Sequence, residues 1–286
     1  MTTRRAFLQS AASLGMVLGL SGCFFGTPKH LKPLSEDAKA LLASKGVAPG
    51  AAMFVRIFKQ ETQLEVWLQK PTGTYTRFKT YDICNWSGDL GPKRKQGDKQ
   101  APEGFYVITP AQMNPWSKYH LSFNIGYPNE YDRAHERTGK HLMVHGGCSS
   151  AGCYAVTDES VQEIFALARE AFDAGQRRFP VHAFPFRLTT ENLAVYKASP
   201  WHPFWRNLKQ GYDFFEKHRR PPVVGVENKR YVFFGTEDAV PEEFKVMAIG
   251  DSNPDQPRLI SGWNVDIPAA QAAPAPKPAA APVLER

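Results

Sequence analysis

Apolar and polar positions alternate along residues 51–59 and again along 61–69, where Leu64, Val66 and Leu68 share one side. A period of two describes strands with one face in a core and one in water, so the pair reads as a half-buried antiparallel hairpin. The pattern continues over residues 75–83, and shorter apolar segments at 105–108 and 142–144 read as further strands. Two stretches switch to helical spacing. Val161, Ile164, Phe165, Leu167, Ala168 and Phe172 form one apolar stripe over residues 159–173, with Asp158 in position to cap the first turn. Trp205, Leu208, Tyr212 and Phe215 form another over 201–215, which Pro221 and Pro222 bring to an end. Ala38, Leu41 and Leu42 predict a short helix over 35–45, and residues 223–226 and 231–234 a last strand pair. Glycine and charge dominate residues 88–100, which read as a loop, whereas the strand at 142–144 runs straight into His145-Gly146-Gly147. The fold class that follows is α+β, mainly β, with packed helices and a helix-rich C-terminal extension.

Both ends of the chain depart from these patterns. Arg4-Arg5 precede Ala6-Phe7-Leu8, an apolar run covers residues 11–20, and Leu20-Ser21-Gly22-Cys23 follows. The paired arginines resemble a twin-arginine export signal, and Leu-Ser-Gly-Cys resembles the site at which bacterial lipoproteins are cleaved and acylated on cysteine. The apolar run is about half the length of roughly 20 residues that a membrane-spanning helix needs. Residues 1–23 are therefore expected to be an export address ending at a lipidated Cys23, which puts the protein in the cell envelope, facing the periplasm. Residues 24–50 read as a linker with a short helix, 51–185 as the main domain and 186–265 as an extension packed on it. Residues 266–286, rich in alanine and proline, lack any pattern that could pack.

Composition adds a core and a weak charge signal. With 42% hydrophobic and 12% aromatic residues, the 286-residue chain can bury a large core, and its net charge of +7 suits an anionic polymer or lipid head groups. Nucleic acid, which also suits a basic surface, is excluded by export. The run Lys93-Arg94-Lys95 reads as a solvated loop. Export also makes free thiols unusual, and the chain has four cysteines: Cys23, Cys84, Cys148 and Cys153. With Cys23 acylated, three remain and one is left unpaired. A bond between Cys84 and Cys148 would free Cys153; a bond between Cys148 and Cys153 is the rival arrangement.

The densest chemistry lies in His145-Gly146-Gly147-Cys148-Ser149-Ser150-Ala151-Gly152-Cys153. A thiol becomes nucleophilic when a neighbouring base takes its proton or a cation stabilises its thiolate, and histidine does either near neutral pH. Small residues between His145 and Cys153 allow both side chains to face one pocket. They also leave backbone N–H groups uncovered, so those of Ala151, Gly152 and Cys153 are candidates for an oxyanion hole.

This segment resembles the active-site motif of the L,D-transpeptidase (YkuD-domain) family, in which His-Gly is followed by Ser-His-Gly-Cys. Here Ser150-Ala151-Gly152-Cys153 stands for the second element, with Ala151 in place of its histidine. Gly97-Asp98, Ala101-Pro102-Glu103-Gly104 and Phe105-Tyr106-Val107-Ile108 resemble the family's strand entry. Trp86-Ser87-Gly88, Met113-Asn114-Pro115 and Gly126-Tyr127-Pro128 are similar to its YafK-like branch. The resemblance implies a cysteine enzyme, needing no cofactor, that attacks peptidoglycan stem peptides at the L-centre of diaminopimelate. Cys153 is then the nucleophile and His145 the proton acceptor and donor, its ring oriented by a carbonyl such as that of Gly146, with Ala151, Gly152, Gly146 and Ser150 as support. An amine resolving the acyl group would make a crosslink or attach a lipoprotein. Water would cut the bond and could release a peptidoglycan-bound lipoprotein.

Other residues carry weaker expectations. The loop Tyr131-Asp132-Arg133-Ala134-His135 could form a lid or hold substrate carboxylates through Arg133, and Tyr154, beside the nucleophile, is a second candidate for substrate contact. Trp201, Phe204 and Trp205 could stack on sugars, although their spacing suits a core. His141, His145, Cys148 and Cys153 could be imagined around zinc, but their spacing matches no common structural zinc pattern. A non-catalytic peptidoglycan-binding lipoprotein, with Cys148 bonded to Cys153, is the remaining alternative.

Overall fold

The alternation at residues 51–69 marks two faces that are both buried. In the computed structural model, which describes residues 26–245 and 256–263, every residue of β1 (Met53–Phe58) is buried, as is the interior of β2 (Gln63–Gln69). The expected half-exposed hairpin is thus a pair of inner strands covered on both sides. The address ending at Cys23 and the 266–286 tail lie outside the described residues.

In chain order, α1 (Glu36–Ser44) precedes β1, β2, β3 (Tyr75–Asp82), β4 (Asn85–Trp86), β5 (Gly104–Ile108), β6 (Met113–Asn114) and β7 (Ser122–Asn124). Then come α2 (Glu130–Ala134), β8 (Met143–His145), β9 (Tyr154–Ala155), α3 (Asp158–Asp173) and β10 (Phe179–Phe184). The extension adds α4 (Thr190–Val195), α5 (His202–His218), β11 (Val223–Glu227), β12 (Arg230–Phe234), α6 (Glu242–Lys245) and β13 (Arg258–Leu259). The fold is α+β. A central sheet has the order β3-β2-β1-β10-β5, a second sheet the order β4-β9-β8-β7-β6, and a small third sheet the order β12-β11-β13.

The central sheet is the shared wall of two cores. From β1, Met53, Val55 and Ile57 face a cluster completed by Val144, Tyr154 and the apolar stripe of α3. Phe54 and Phe58 point the other way, Phe54 onto Phe215 and Phe58 into a cluster with Trp205, Leu208 and Tyr212 of α5. Burial on both faces is why the strand is apolar almost throughout. The segment read as a linker belongs to this packing, since Leu34, Ala38, Leu42 and Val47 lie in the first cluster. Strand β10, between β1 and β5, has no counterpart in the sequence reading. Pro180 interrupts its pattern, and the strand tolerates it because pairing to β1 begins only at Val181.

Helix boundaries follow local chemistry. Thr157, rather than Asp158, caps α3: its hydroxyl accepts the Ser160 N–H at 3.1 Å. Helix α5 ends at Arg219, whose left-handed backbone directs its N–H to the Phe215 carbonyl, ahead of Pro221-Pro222.

One buried ion pair fixes the long loop before β5. Lys59, fully buried just past β1, approaches the carboxylate of Glu103 at 2.9 Å and the carbonyls of Asp89, Gly91 and Ala101 at 2.7, 3.0 and 3.1 Å. Glu103 also accepts the Gly91 N–H at 2.7 Å and the Trp205 indole N–H at 2.9 Å. Burial lowers the lysine's pKa, and Glu103 opposes that shift. Lys59→Met strands the Glu103 charge, and urea titration is expected to show a loss of about 3–5 kcal/mol. The double variant Lys59→Met/Glu103→Gln should recover a large part of it.

Candidate active site

Parallel pairing brings the thiol and the imidazole to one side of the second sheet. Strand β8 pairs with β9 so that Val144 lies opposite Tyr154 and His145 opposite Ala155. Cys153, the residue before β9, therefore falls beside Met143. Side chains alternate along a strand, so the inward Val144 and Tyr154, both fully buried, place Met143, His145 and Cys153 on the other face. A strand spacing of about 4.8 Å and a rise of about 3.3 Å per residue put the Cα atoms of Cys153 and His145 about 8 Å apart, within reach of converging side chains.

Cys153 is the free cysteine of the described residues, because Cys84 is bonded to Cys148, 64 positions away. The rival bond between Cys148 and Cys153 is excluded. The same bond removes Cys148 from any zinc set with His141, His145 and Cys153, and among the described residues no cluster of three or more His, Cys, Asp or Glu could hold a metal. The disulfide ties the loop after β8 to the segment between β3 and β4.

At rest the thiol and imidazole are held separately. The Cys153 S–H faces the His141 carbonyl at 3.7 Å, while the sulfur accepts the Met143 N–H at 3.4 Å. Burial pushes the thiol's pKa up; the Met143 amide and the Lys93 charge oppose it. His145 is 3% exposed, and burial lowers its pKa. Its Nδ1 meets the Gly146 carbonyl at 2.6 Å, which leaves Nε2 as the proton acceptor when Nδ1 carries the hydrogen. Both shifts favour a neutral pair over a thiolate and imidazolium.

The loop between them is shaped by close approaches. Tyr119, half exposed, lies over the His145 ring at 4.7 Å between centroids and 31° between planes. Gly147 has φ +81°, and a Cβ there would approach the Tyr119 ring to 3.1 Å. At Gly146 a Cβ would come within 2.4 Å of an Asp158 oxygen, so both glycines are required. Asp158, expected to cap α3, instead accepts the Gly147 N–H at 2.9 Å. Its role is to fasten the loop to the start of α3.

The oxyanion-hole candidates divide. The Cys153 N–H donates to the Ser150 hydroxyl at 3.0 Å, and that hydroxyl donates to the Cys153 carbonyl at 2.7 Å. Ser150 therefore clamps the turn, and the Cys153 amide is already occupied. The amides of Ala151 and Gly152 have no partner among the described residues and stay available for an oxyanion.

Several expected substrate contacts lie elsewhere. Tyr154 is fully buried, with its hydroxyl donating to the Pro102 carbonyl at 2.5 Å, so it is a core residue. The segment around Arg133 is helix α2 rather than a lid: Tyr131 stacks between Phe204 and Tyr231, and Asp132 is buried against Arg137. Arg133 itself meets the Pro128 carbonyl, Ser261 and Glu130 beside a different cavity, one lined by Thr109, Asn124 and Gly262. Phe204 and Trp205 are core. Lys93 reverses the expectation of a solvated basic run, because it is buried, bonded to Asp98 and acts electrostatically on the Cys153 thiol. Only its spacing from Asp98 could have signalled this.

Residues 57–183 match the family described as YkuD, the L,D-transpeptidase catalytic domain. The chain is 43% identical over 207 residues to the Escherichia coli (strain K12) protein named "Putative L,D-transpeptidase YafK", covering 72% of this chain and 81% of that protein. Among solved structures, the K307A mutant of the helical cell shape determining protein Pgp2 from Campylobacter jejuni aligns with a TM-score of 0.40 and 18% identity, over 68% of each chain. Bdellovibrio bacteriovorus Bd1075 aligns with a TM-score of 0.32 and 16% identity, over 57% of this chain and 76% of its own.

The neutral resting pair sets two expectations. The thiol's raised pKa means less thiolate at each pH than an ordinary cysteine carries. Alkylation of Cys153 by iodoacetamide should keep accelerating past pH 9, whereas a plateau below pH 7 would show a preformed ion pair. Removing the aromatic cover in Tyr119→Ala should raise the His145 pKa toward its ordinary value in an NMR titration, while Tyr119→Phe leaves it in place.

Proposed function

The chain belongs to the L,D-transpeptidase catalytic-domain family, and on that premise we propose that it is a cysteine acyltransferase acting on peptidoglycan stem peptides at the L-centre of diaminopimelate. The observation that carries this reading is the single free thiol of the described residues, on the same face of the sheet as His145 by the β8–β9 register, while the other two described cysteines are bonded to each other.

In the proposed reaction, substrate displaces the weak contact between the Cys153 S–H and the His141 carbonyl. His145 Nε2 takes the thiol proton as sulfur attacks the peptide carbonyl. The carbonyl oxygen becomes an oxyanion facing the amides of Ala151 and Gly152, where fixed dipoles cost no reorganisation. The intermediate collapses by expelling the leaving amine, which takes the proton from His145, and a thioester on Cys153 remains. An incoming amine then gives its proton to His145 and attacks the thioester, so that a new amide forms and the thiol is restored. Water in the same position gives hydrolysis, which would release a peptide or a bound lipoprotein.

Such a neutral mechanism matches the shifts at the site. A half-buried thiol on the same face as a buried imidazole transfers its proton only when the developing oxyanion and the protonated ring offset each other. The proposal also includes export and a lipid anchor at Cys23, which would hold the enzyme on the membrane facing its polymer. Its support is the order of motifs in residues 1–23.

Incubation of the mature protein with isolated sacculi, followed by mass analysis of the peptides, tests the reaction. New crosslinks indicate transfer, and diaminopimelate-terminated fragments indicate hydrolysis. Cys153→Ala should lower turnover about a thousandfold or more while circular dichroism stays unchanged. Cys84→Ala should keep measurable turnover and lose stability. Equal loss in both folded variants would remove Cys153 from the role of nucleophile.

A further inference from the structure

The loop before β5 and the residue just before α5 border an open cavity of about 270 Å³, lined among others by Asp89, Gly91, Arg94, Lys95, Gln100 and Trp201. Its wall is built rather than incidental. The Gln100 side chain accepts the Asp89 N–H at 2.9 Å and donates to the Gly91 carbonyl at 2.7 Å, and the Gly91 N–H is fixed on the buried Glu103. Gly91 lies so close to the indole that a Cβ would come within 2.5 Å of Trp201 Nε1.

The charges facing the cavity are not self-neutralised. Asp98 is occupied internally by the Lys93 ammonium and the amides of Arg94, Lys95 and Gln100. The Arg94 guanidinium lies over the Trp201 ring at 5.9 Å. Neither Arg94, Lys95 nor Asp89 has a side-chain hydrogen bond or ion pair among the described residues. Two cations and one carboxylate around an aromatic face match a ligand group that joins a carboxylate and an ammonium on one carbon. The positive excess of Arg94 and Lys95 over Asp89 attracts a carboxylate, and Asp89 offers an adjacent partner for an ammonium.

The cavity also borders the reacting loop. The Gln100 carbonyl lies 3.6 Å from where a Cβ of Gly152 would stand, one residue from the nucleophile. Lys93, between the cavity-lining Pro92 and Arg94, acts on the Cys153 thiol. The cavity and the loop that carries Cys153 are therefore neighbours through Gln100 and Lys93.

Resting on the function proposed above, we propose that this cavity is the subsite for the free D-centre of diaminopimelate, its carboxylate held by Arg94 and Lys95 and its ammonium by Asp89. A D-centre whose amine is already acylated in a crosslink has lost the ammonium. The site then selects uncrosslinked stems.

Binding to full-chain Cys153→Ala measures this without turnover. The probes are the tripeptide L-Ala-γ-D-Glu-meso-diaminopimelate and two relatives with the D-centre converted to a carboxamide or N-acetylated, read by calorimetry. Each conversion should weaken binding about tenfold or more, the loss of one charge-assisted contact. In Arg94→Gln/Lys95→Gln, the parent should weaken similarly and the carboxamide should lose nothing further; Asp89→Asn should behave in the same way toward the N-acetyl form. Equal binding of all three probes, or equal weakening of all three by the variants, overturns the subsite. Inert wild type on sacculi with the coupling intact would remove the proposed reaction and leave the subsite standing; active wild type without coupling would do the reverse.

Discussion

The pairing of Lys59 with Glu103 is the constraint on which the rest of the site depends. A lysine with no exposed surface is costly unless its charge is met, and here a carboxylate and three loop carbonyls meet it. The consequence is geometric more than energetic. Residues 89–103 have no regular structure of their own before β5, so their path is set by what Lys59 and Glu103 hold. That path places Lys99 and Gln100 against Gly152, Pro102 on the Tyr154 hydroxyl, and Lys93 near the thiol. The extension joins the same network through the Trp205 indole. A change at one buried ammonium therefore reaches the loop that carries Cys153 through packed groups with few alternative arrangements.

The reacting pair is held with a different economy. Burial raises the thiol's pKa and lowers that of the imidazole, so both remain neutral, and the S–H rests on a backbone carbonyl. A thiolate is the form most readily oxidised, and a neutral thiol under cover is less exposed to that chemistry. The Cys84–Cys148 bond contributes from the other side, since it holds Cys148 away from Cys153 although only four residues separate them. The aromatic ring of Tyr119 and the carbonyl of Gly146 fix the histidine between them. In the proposed reaction, reactivity is left to the moment when a substrate carbonyl supplies the developing charge.

Legibility in the sequence follows how local each cause is. The α3 and α5 stripes were readable because helical spacing is set within each segment, and β1, β2, β3, β11 and β12 because alternation or apolar runs survive in them. Strand β10 was not, since Pro180 argues locally against a strand and only the delayed pairing with β1 makes it acceptable. The two-sided burial of β1 was hidden for the same reason: what covers the second face comes from residues 204–215, far along the chain. At the site, Cys153, His145 and the Gly146 carbonyl are close in sequence and could be named together. Lys93, Tyr119 and Asp158 could not, because their contacts with the motif arise from the loop path and from α3. Tyr154 was misplaced by adjacency alone, as the residue after an outward cysteine on a strand must point inward.

The extension acquires a meaning from this arrangement that its sequence does not carry. Helix α5 covers the central sheet with Trp205, Leu208 and Tyr212, and such burial alone would make it a stabilising cap. The residue that caps it does something else, because Trp201 stands half-buried at the edge of the 89–103 loop and meets the Arg94 guanidinium. The same helix thus fixes Glu103 from inside and borders an open, charged cavity from outside. If the cavity is the proposed subsite, core packing and substrate selection are not assigned to separate parts of the chain. One helix and the residue that caps it can hold the buried acid that shapes a loop and present an aromatic face to that loop's cations.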